Sequence, residues 1–188
     1  MEADKPDFLV FKGVCCIMYF MEIILGLHNI RSTYNVGAIL RTAEGLGVSK
    51  VICSGYTPWF SKPGLLPHLS SKLKRQINKS ALGAEEMLKV EWAEDILKSL
   101  AGFKADGYQI VGLENNLKCP TVLLSDPKLS KKIGKKVVLM LGEEVEGIPE
   151  EIRKEMDLFL EIPMKGQKES FNVSVAAGMA LFALNYNV

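Results

Sequence analysis

Residues 158–184 read LFLEIPMKGQKESFNVSVAAGMALFAL, and the fold turns on how this stretch is read. Leu158 to Ile162 is a short apolar strand, stopped by Pro163, which has no N–H for a sheet ladder. A polar loop follows from Lys165 to Glu169, with Gly166 free to take a positive φ. Ser170 stands at an N-cap position before a long apolar run, where its hydroxyl can accept an early helix N–H. The run is apolar or small almost all round, which predicts a helix buried on every side. Ser174, Ala176, Ala177, Gly178 and Ala180 permit another backbone to approach. A strand end thus meets a helix start at a loop whose unpaired backbone groups suit a ligand. On this stretch alone, a C-terminal strand and core helix with no ligand fits equally well.

Working outward, Val137 to Leu141 is continuously apolar, as in a strand buried on both faces of a parallel sheet. Glu22–Leu27, Val48–Ser54, Val90–Ala93, Tyr108–Leu113 and Val122–Leu124 also read as strands. Asn35 is placed to cap a helix over Val36–Leu46, with Val36, Ile39, Leu40, Ala43 and Leu46 on one face. Its other side carries Gly37, Ala38, Arg41, Glu44 and Gly45. A glycine in a helix costs about 1 kcal/mol relative to alanine, so Gly37 points to a packing or ligand reason. An Arg41 that is merely at the surface fits the same pattern. Glu94–Phe103 reads as an amphipathic helix with Ile96, Leu97 and Leu100 inward, and Ile148–Met156 as a short helix with Pro149 in its first turn. Strands alternating with helices predict an α/β fold with a mainly parallel sheet flanked by helices.

Gly55–Ser71 reads as a long loop bearing Trp59, Phe60 and His68. Lys72, Lys74, Arg75 and Lys79 follow it. Aromatics beside basic side chains suit single-stranded nucleic acid; a solvated charged face fits the same residues.

The chain has 188 residues and a net charge of +1, so no global field calls for nucleic acid. Its length predicts one domain over 21–188, with 1–20 as an N-terminal extension. No apolar run reaches membrane-spanning length, so no membrane partner is expected. Cys15, Cys16, Cys53 and Cys119 lack metal-type spacing and lie far from His28 and His68; no metal is expected, and reduced thiols fit a cytoplasmic protein. Gly45-Leu-Gly47 begins like a dinucleotide fingerprint but lacks its third glycine and follows a helix, the wrong context.

Three separated stretches carry the functional reading together. They are Asn35-Val-Gly37-Ala-Ile-Leu-Arg41-Thr-Ala43, Leu141-Gly142-Glu143-Glu144-Val145-Glu146-Gly147-Ile148, and Ile162-Pro163-Met164 with Gly166 and Ser170-Phe171-Asn172-Val173-Ser174-Val175-Ala176. In this order they resemble the three motifs of the SpoU (TrmH-like) RNA ribose 2′-O-methyltransferases of the SPOUT superfamily. Asn78 to Ala84 is similar to the segment those proteins carry between motifs one and two. Phe171 stands where leucine is usual, and Glu144 and Glu146 make motif two unusually acidic.

The resemblance implies a C-terminal trefoil knot, a homodimer, S-adenosylmethionine (SAM) as methyl donor, and a tRNA or rRNA substrate. It places the cofactor at loops following Leu113, Leu141 and Ile162, with Gly142, Gly147, Met164, Gly166 and Phe171 around it. It assigns activation of the ribose hydroxyl to Arg41, with Asn35, Glu143, Ser170 and Asn172 as further polar site residues. Arginine holds its proton too tightly to be a base, so Arg41 is expected to stabilise charge, with Glu143 holding its guanidinium. Arg31 and the cluster Lys72, Lys74, Arg75 and Lys79 are expected to meet RNA. Two other readings are a catalytically idle knotted RNA-binding protein and a metal-assisted enzyme using Glu143, Glu144 and Glu146.

Overall fold

The apolar run Val137–Leu141 is covered on both faces, and its alternation sorts the core into two layers. The computed structural model describes residues 8–11, 14–17, 21–115 and 117–186. Strands β1 (Phe8–Phe11) and β2 (Val14–Ile17) pair antiparallel in a small sheet of their own. The main sheet contains β3 (Glu22–His28), β4 (Lys50–Ser54), β5 (Val90–Ala93), β6 (Gln109–Leu113), β7 (Val122–Leu123), β8 (Lys136–Leu141) and β9 (Leu158–Glu161). Its order is β5-β4-β3-β8-β6-β9-β7, and every neighbouring pair is parallel. The strands predicted from sequence appear within two residues of their expected ends.

Helices α1 (Thr33–Gly45), α2 (Pro67–Ala81), α3 (Ala84–Met87), α4 (Ile96–Ala105), α5 (Glu150–Arg153) and α6 (Val173–Tyr186) flank the sheet. Ile23, Leu25, Leu27, Val137, Leu139 and Leu141 join one core layer with α1, α2 and α6. Ile24, Ile52, Ile110, Val138 and Met140 join the other, with Ile96 and Leu100 of α4 and Ile152 of α5. Each fully buried aliphatic side chain in these layers contributes about 1.5–3 kcal/mol of transfer free energy. Gly26 opposes Met140 across β3 and β8; a Cβ there would lie 2.0 Å from the Met140 sulfur.

Several local expectations are corrected. Helix α1 begins at Thr33, three residues earlier than expected, because Ser32 is extended and its hydroxyl accepts the Asn35 N–H at 3.3 Å. Ser32, not Asn35, is the cap, which leaves the Asn35 side chain free for other work. Gly37 is buried against α2: a Cβ would meet the Ile77 carbonyl oxygen at 2.4 Å. Its reason is helix packing, not a ligand.

The expected loop Gly55–Ser71 ends early, since α2 starts at Pro67, a residue suited to a first turn. Leu73, Ile77 and Ala81, spaced four apart, face the core, while Lys72, Lys74, Arg75 and Lys79 are exposed. The basic cluster is thus the polar face of an amphipathic helix. Trp59 is only 4% exposed, packed at 4.1 Å between ring centroids against Phe60, so it is not open to a base.

Leu97 is exposed, because the inward face of α4 runs through Ile96 and Leu100. Helix α5 is a single turn, since the chain must enter β9 at Leu158. Asn172 rather than Ser170 caps α6, its Oδ1 accepting the Ser174 N–H at 2.9 Å. Nor is α6 buried all round in the single chain: Val175, Met179, Phe182 and Tyr186 are exposed along one side. Gly178 faces Thr42 of α1, whose methyl a Cβ would meet at 3.4 Å.

Candidate active site

Strands β8, β6 and β9 are neighbours, and the loops leaving their C-terminal ends enclose a cavity of about 300 Å³. This is the edge of a parallel sheet at which ligands bind, and the volume is at the lower end for a small-molecule site. Leu113, Leu141, Gly142, Gly147, Ile162 and Phe171 line it. Met164 and Gly166 do not, and Gly166 is not among the glycines with positive φ. Ser170 lies at its mouth, exposed.

The loop after β8 closes on itself. Glu143 and Gly147 exchange backbone hydrogen bonds, with Glu143 N–H donating at 3.1 Å and Gly147 N–H at 3.0 Å. Gly142 is required by this closure, because a Cβ would sit 2.4 Å from the Gly147 carbonyl carbon. The close approach at Gly142 is therefore by the protein's own backbone. Gly147 takes φ +69°, and a Cβ on it would meet the Glu114 carboxylate at 2.2 Å.

Glu114 and Asn115, directly after β6, organise two of the three loops. The Glu114 carboxylate accepts the Ile148 N–H at 2.8 Å, fixing the end of the motif-two loop. Burial raises the pKa of this carboxyl above the ordinary carboxylate value, opposed by its backbone donors and by Arg153. The Asn115 carboxamide accepts the Ile162 N–H at 3.1 Å and donates to the Ile162 carbonyl at 3.0 Å and the Glu169 carbonyl at 3.2 Å. One side chain thus extends the β6–β9 ladder and ties down both ends of the loop leading to α6. Sequence reading passed over both residues. Their signal was positional: they follow the predicted end of a parallel strand.

The polar motif residues split into two groups. Asn35 Nδ2 donates to Glu144 Oε1 at 3.0 Å, and Asn172 Nδ2 donates to Asn35 Oδ1 at 3.3 Å. These contacts join α1, the motif-two loop and the start of α6. Glu143, with a side chain only 9% exposed, pairs with Arg31 rather than with Arg41. Arg31 follows β3, the neighbour of β8, so its guanidinium reaches the motif-two loop. Arg41 lies six residues beyond Asn35, about 9 Å along the helix axis at 1.5 Å per residue. Arg41 is exposed, and no hydrogen bond or ion pair holds its side chain among the described residues.

The α2 cations Lys72, Lys74, Arg75 and Lys79 do not line the cavity. Lys74 is paired with Glu86 at 2.6 Å. Among the described residues, no group of three His, Cys, Asp or Glu side chains is placed to hold a metal ion. No described helix is long and apolar enough to cross a membrane.

The family model described as SpoU rRNA Methylase matches residues 22–182. The 23S rRNA (guanosine-2′-O-)-methyltransferase RlmB of Xylella fastidiosa (strain 9a5c) is 31% identical over 160 residues, which cover 85% of this chain and 57% of that protein. The chain therefore spans little more than half the length of that relative. The A. aeolicus TrmH/SpoU tRNA modifying enzyme superposes with a TM-score of 0.69 at 25% identity, covering 89% of this chain and 75% of that one. An AdoMet-bound rRNA methyltransferase from Sinorhizobium meliloti shares the fold, with a TM-score of 0.67 at 24% identity over 86% of this chain and 55% of that one. Motifs two and three line one cavity, Asn35 of motif one bonds to both at Glu144 and Asn172, and the matched region takes in the main sheet and nearly all of its helices: this chain belongs to the SpoU rRNA Methylase family.

Proposed function

We propose that this chain transfers a methyl group from SAM to a ribose 2′-hydroxyl of tRNA or rRNA. The observation that carries the reading is that motifs two and three line one cavity at the C-terminal edge of β8, β6 and β9, while Asn35 of motif one bonds to both, at Glu144 and Asn172. Relatives named for 2′-O-methylation of rRNA, and a same-fold structure holding AdoMet, support it.

In this reading the cofactor lies against Leu113, Leu141, Gly142, Gly147, Ile162 and Phe171. SAM supplies a methyl already activated on a sulfonium, so the protein's tasks are positioning and charge stabilisation. The Asn35–Asn172 pair and Glu144 fix the rim on which the ribose rests. Arg41 stabilises the negative charge that grows on the 2′-oxygen. Glu143 acts through Arg31, holding that guanidinium at the cavity wall. The exposed residues of α6 pack against a second copy in a homodimer, and the segment from β9 into α6 forms the threaded part of a trefoil knot. The protein works in the cytoplasm, in keeping with cysteines that lack disulfide or metal spacing.

The test is direct. SAM binds the folded protein in calorimetry and raises its melting temperature by linkage. Transfer of labelled methyl to total tRNA or rRNA then yields 2′-O-methylated nucleotides after digestion. Folded protein that binds no SAM at millimolar concentration overturns the reading.

A further inference from the structure

Tyr56 is 46% exposed on a loop that is otherwise pinned in place. Its N–H donates to Asn29 Oδ1 at 3.1 Å. Asn29 holds φ +61°, a left-handed conformation uncommon outside glycine that concentrates at functional sites. The preceding Gly55 is at φ +67°, and a Cβ there would lie 1.9 Å from Asn29 Oδ1. On the other side Thr57 is buried, its hydroxyl donating to the Leu27 carbonyl at 2.9 Å and accepting the Ile30 N–H at 3.2 Å. Both flanks of Tyr56 are thereby fixed to the end of β3, while nearly half of Tyr56 is left to solvent.

The ring is also tied to the cavity. The Arg31 guanidinium lies 5.9 Å from its centroid and pairs with Glu143, which lines the cavity wall. Desolvation raises the Tyr56 hydroxyl pKa, with the Arg31 hydrogen bond opposing the shift and Glu143 adding to it. The phenol therefore stays neutral at physiological pH and does not serve as a base. A rigid, exposed aromatic with a guanidinium at its side is the arrangement on which unpaired RNA bases stack. Trp59 is packed away, and Phe60 is half-buried, held against Trp59 on one side with Lys74 5.5 Å from its centroid.

We propose that Tyr56, with Arg31 beside it, is the stacking platform for the unpaired base of the nucleotide whose ribose is methylated. The proposal rests on the methyltransferase reading and adds the recognition of an RNA base beside the cavity. Stacking uses the face of any base, so the platform holds the nucleotide without choosing its identity.

The test compares Tyr56→Ala, Tyr56→Leu and Tyr56→Phe, each checked for folding by circular dichroism. Methyl transfer from labelled SAM to total tRNA and rRNA gives KM and kcat, and calorimetry gives SAM affinity. Loss of one base–aromatic stack raises KM for RNA about 10-fold or more in the Ala variant. SAM affinity stays unchanged, and the Leu variant, equally apolar but without a ring, resembles Ala. Tyr56→Phe recovers most of the lost affinity. Wild-type KM in Tyr56→Ala, or a Leu variant as good as Phe, overturns the proposal. A single-stranded oligoribonucleotide carrying 2-aminopurine separates this outcome from failure of the methyltransferase reading. Wild-type protein quenches its fluorescence and Tyr56→Ala does not; no quenching by wild type sinks the platform whatever the SAM result.

Discussion

Glu143 pairs with Arg31, and this leaves Arg41 without a partner among the described residues. A guanidinium held by nothing in the free protein is available to the substrate, and its removal leaves no buried charge behind. Arg41→Ala should therefore keep the melting temperature within a degree or two, since exposed substitutions usually cost under about 0.5 kcal/mol. Single-turnover methyl transfer should fall on the order of 100-fold or more, as on loss of one preorganised stabilising donor. Arg41→Lys should recover little, because a point charge lacks the planar fork. Near-wild-type transfer by folded Arg41→Ala would remove Arg41 from the chemistry.

Gly37 offers a prediction about stability. Helices α1 and α2 touch where the Gly37 Cβ would be, 2.4 Å from a backbone oxygen that has no rotamer to escape into. Gly37→Val should separate the helices and destabilise by about 1–3 kcal/mol or more, the cost of overpacking. Gly45, with nothing within 4 Å of its Cβ, is the internal control. Gly45→Ala should be neutral or stabilising in the same urea titration.

The buried carboxyl of Glu114 makes stability depend on pH in a sense opposite to that of most paired carboxylates. Its folded pKa is raised, so the folded state binds its proton first as pH falls. This site therefore adds stability on acidification, between its folded pKa and the lower unfolded value, and withdraws it as pH rises. Glu114→Gln should remove that component. A difference in stability between wild type and Glu114→Gln that does not change from pH 4 to pH 7 would contradict the assignment.

The main sheet was legible in sequence because parallel strands covered on both faces are written as continuous apolar runs. Val137–Leu141 is short and unbroken and ends at Gly142, and Leu158–Ile162, interrupted only by Glu161, ends at Pro163. Helix α2 was not legible as a helix: Leu73, Ile77 and Ala81 make a narrow apolar stripe, and the four cations around it drew attention to charge instead of period. The motif residues were found, but their pairings were not, since side-chain partners depend on strand order. Arg31 reaches Glu143 only because β3 lies beside β8, strands more than a hundred residues apart in sequence. Asn115 carried no motif at all; its role follows from β6 lying beside β9.

The outer side of α6 presents Val175, Met179, Phe182 and Tyr186, with the last two rings 4.8 Å apart. These positions fall at helical spacing and lie away from the core. If a second copy covers them, Phe182→Glu should leave the chain folded but shift it toward monomer in sedimentation at micromolar concentration. A two-fold interface doubles the effect, because the same residue enters from both sides. A wild-type protein that sediments as monomer at all concentrations would exclude the dimer.

Asn115 is predicted to govern cofactor affinity. Its carboxamide makes three hydrogen bonds that hold Ile162 and Glu169, both on the cavity wall, against the end of β6. Asn115→Ala leaves these backbone groups without that partner, and a loop held less firmly must be ordered in part by the ligand itself. The cost of ordering is then drawn from binding. SAM affinity should fall about 10-fold or more, on the scale of 1–3 kcal/mol for buried groups left unpaired. At saturating SAM, kcat should recover toward wild type, since the reacting groups lie elsewhere. Asn115→Asp keeps the acceptor for the Ile162 N–H but cannot donate to either carbonyl, so it should bind SAM no better than Asn115→Ala. Wild-type SAM affinity in both variants, measured by calorimetry on folded protein, would show that the loop holds its shape without this side chain.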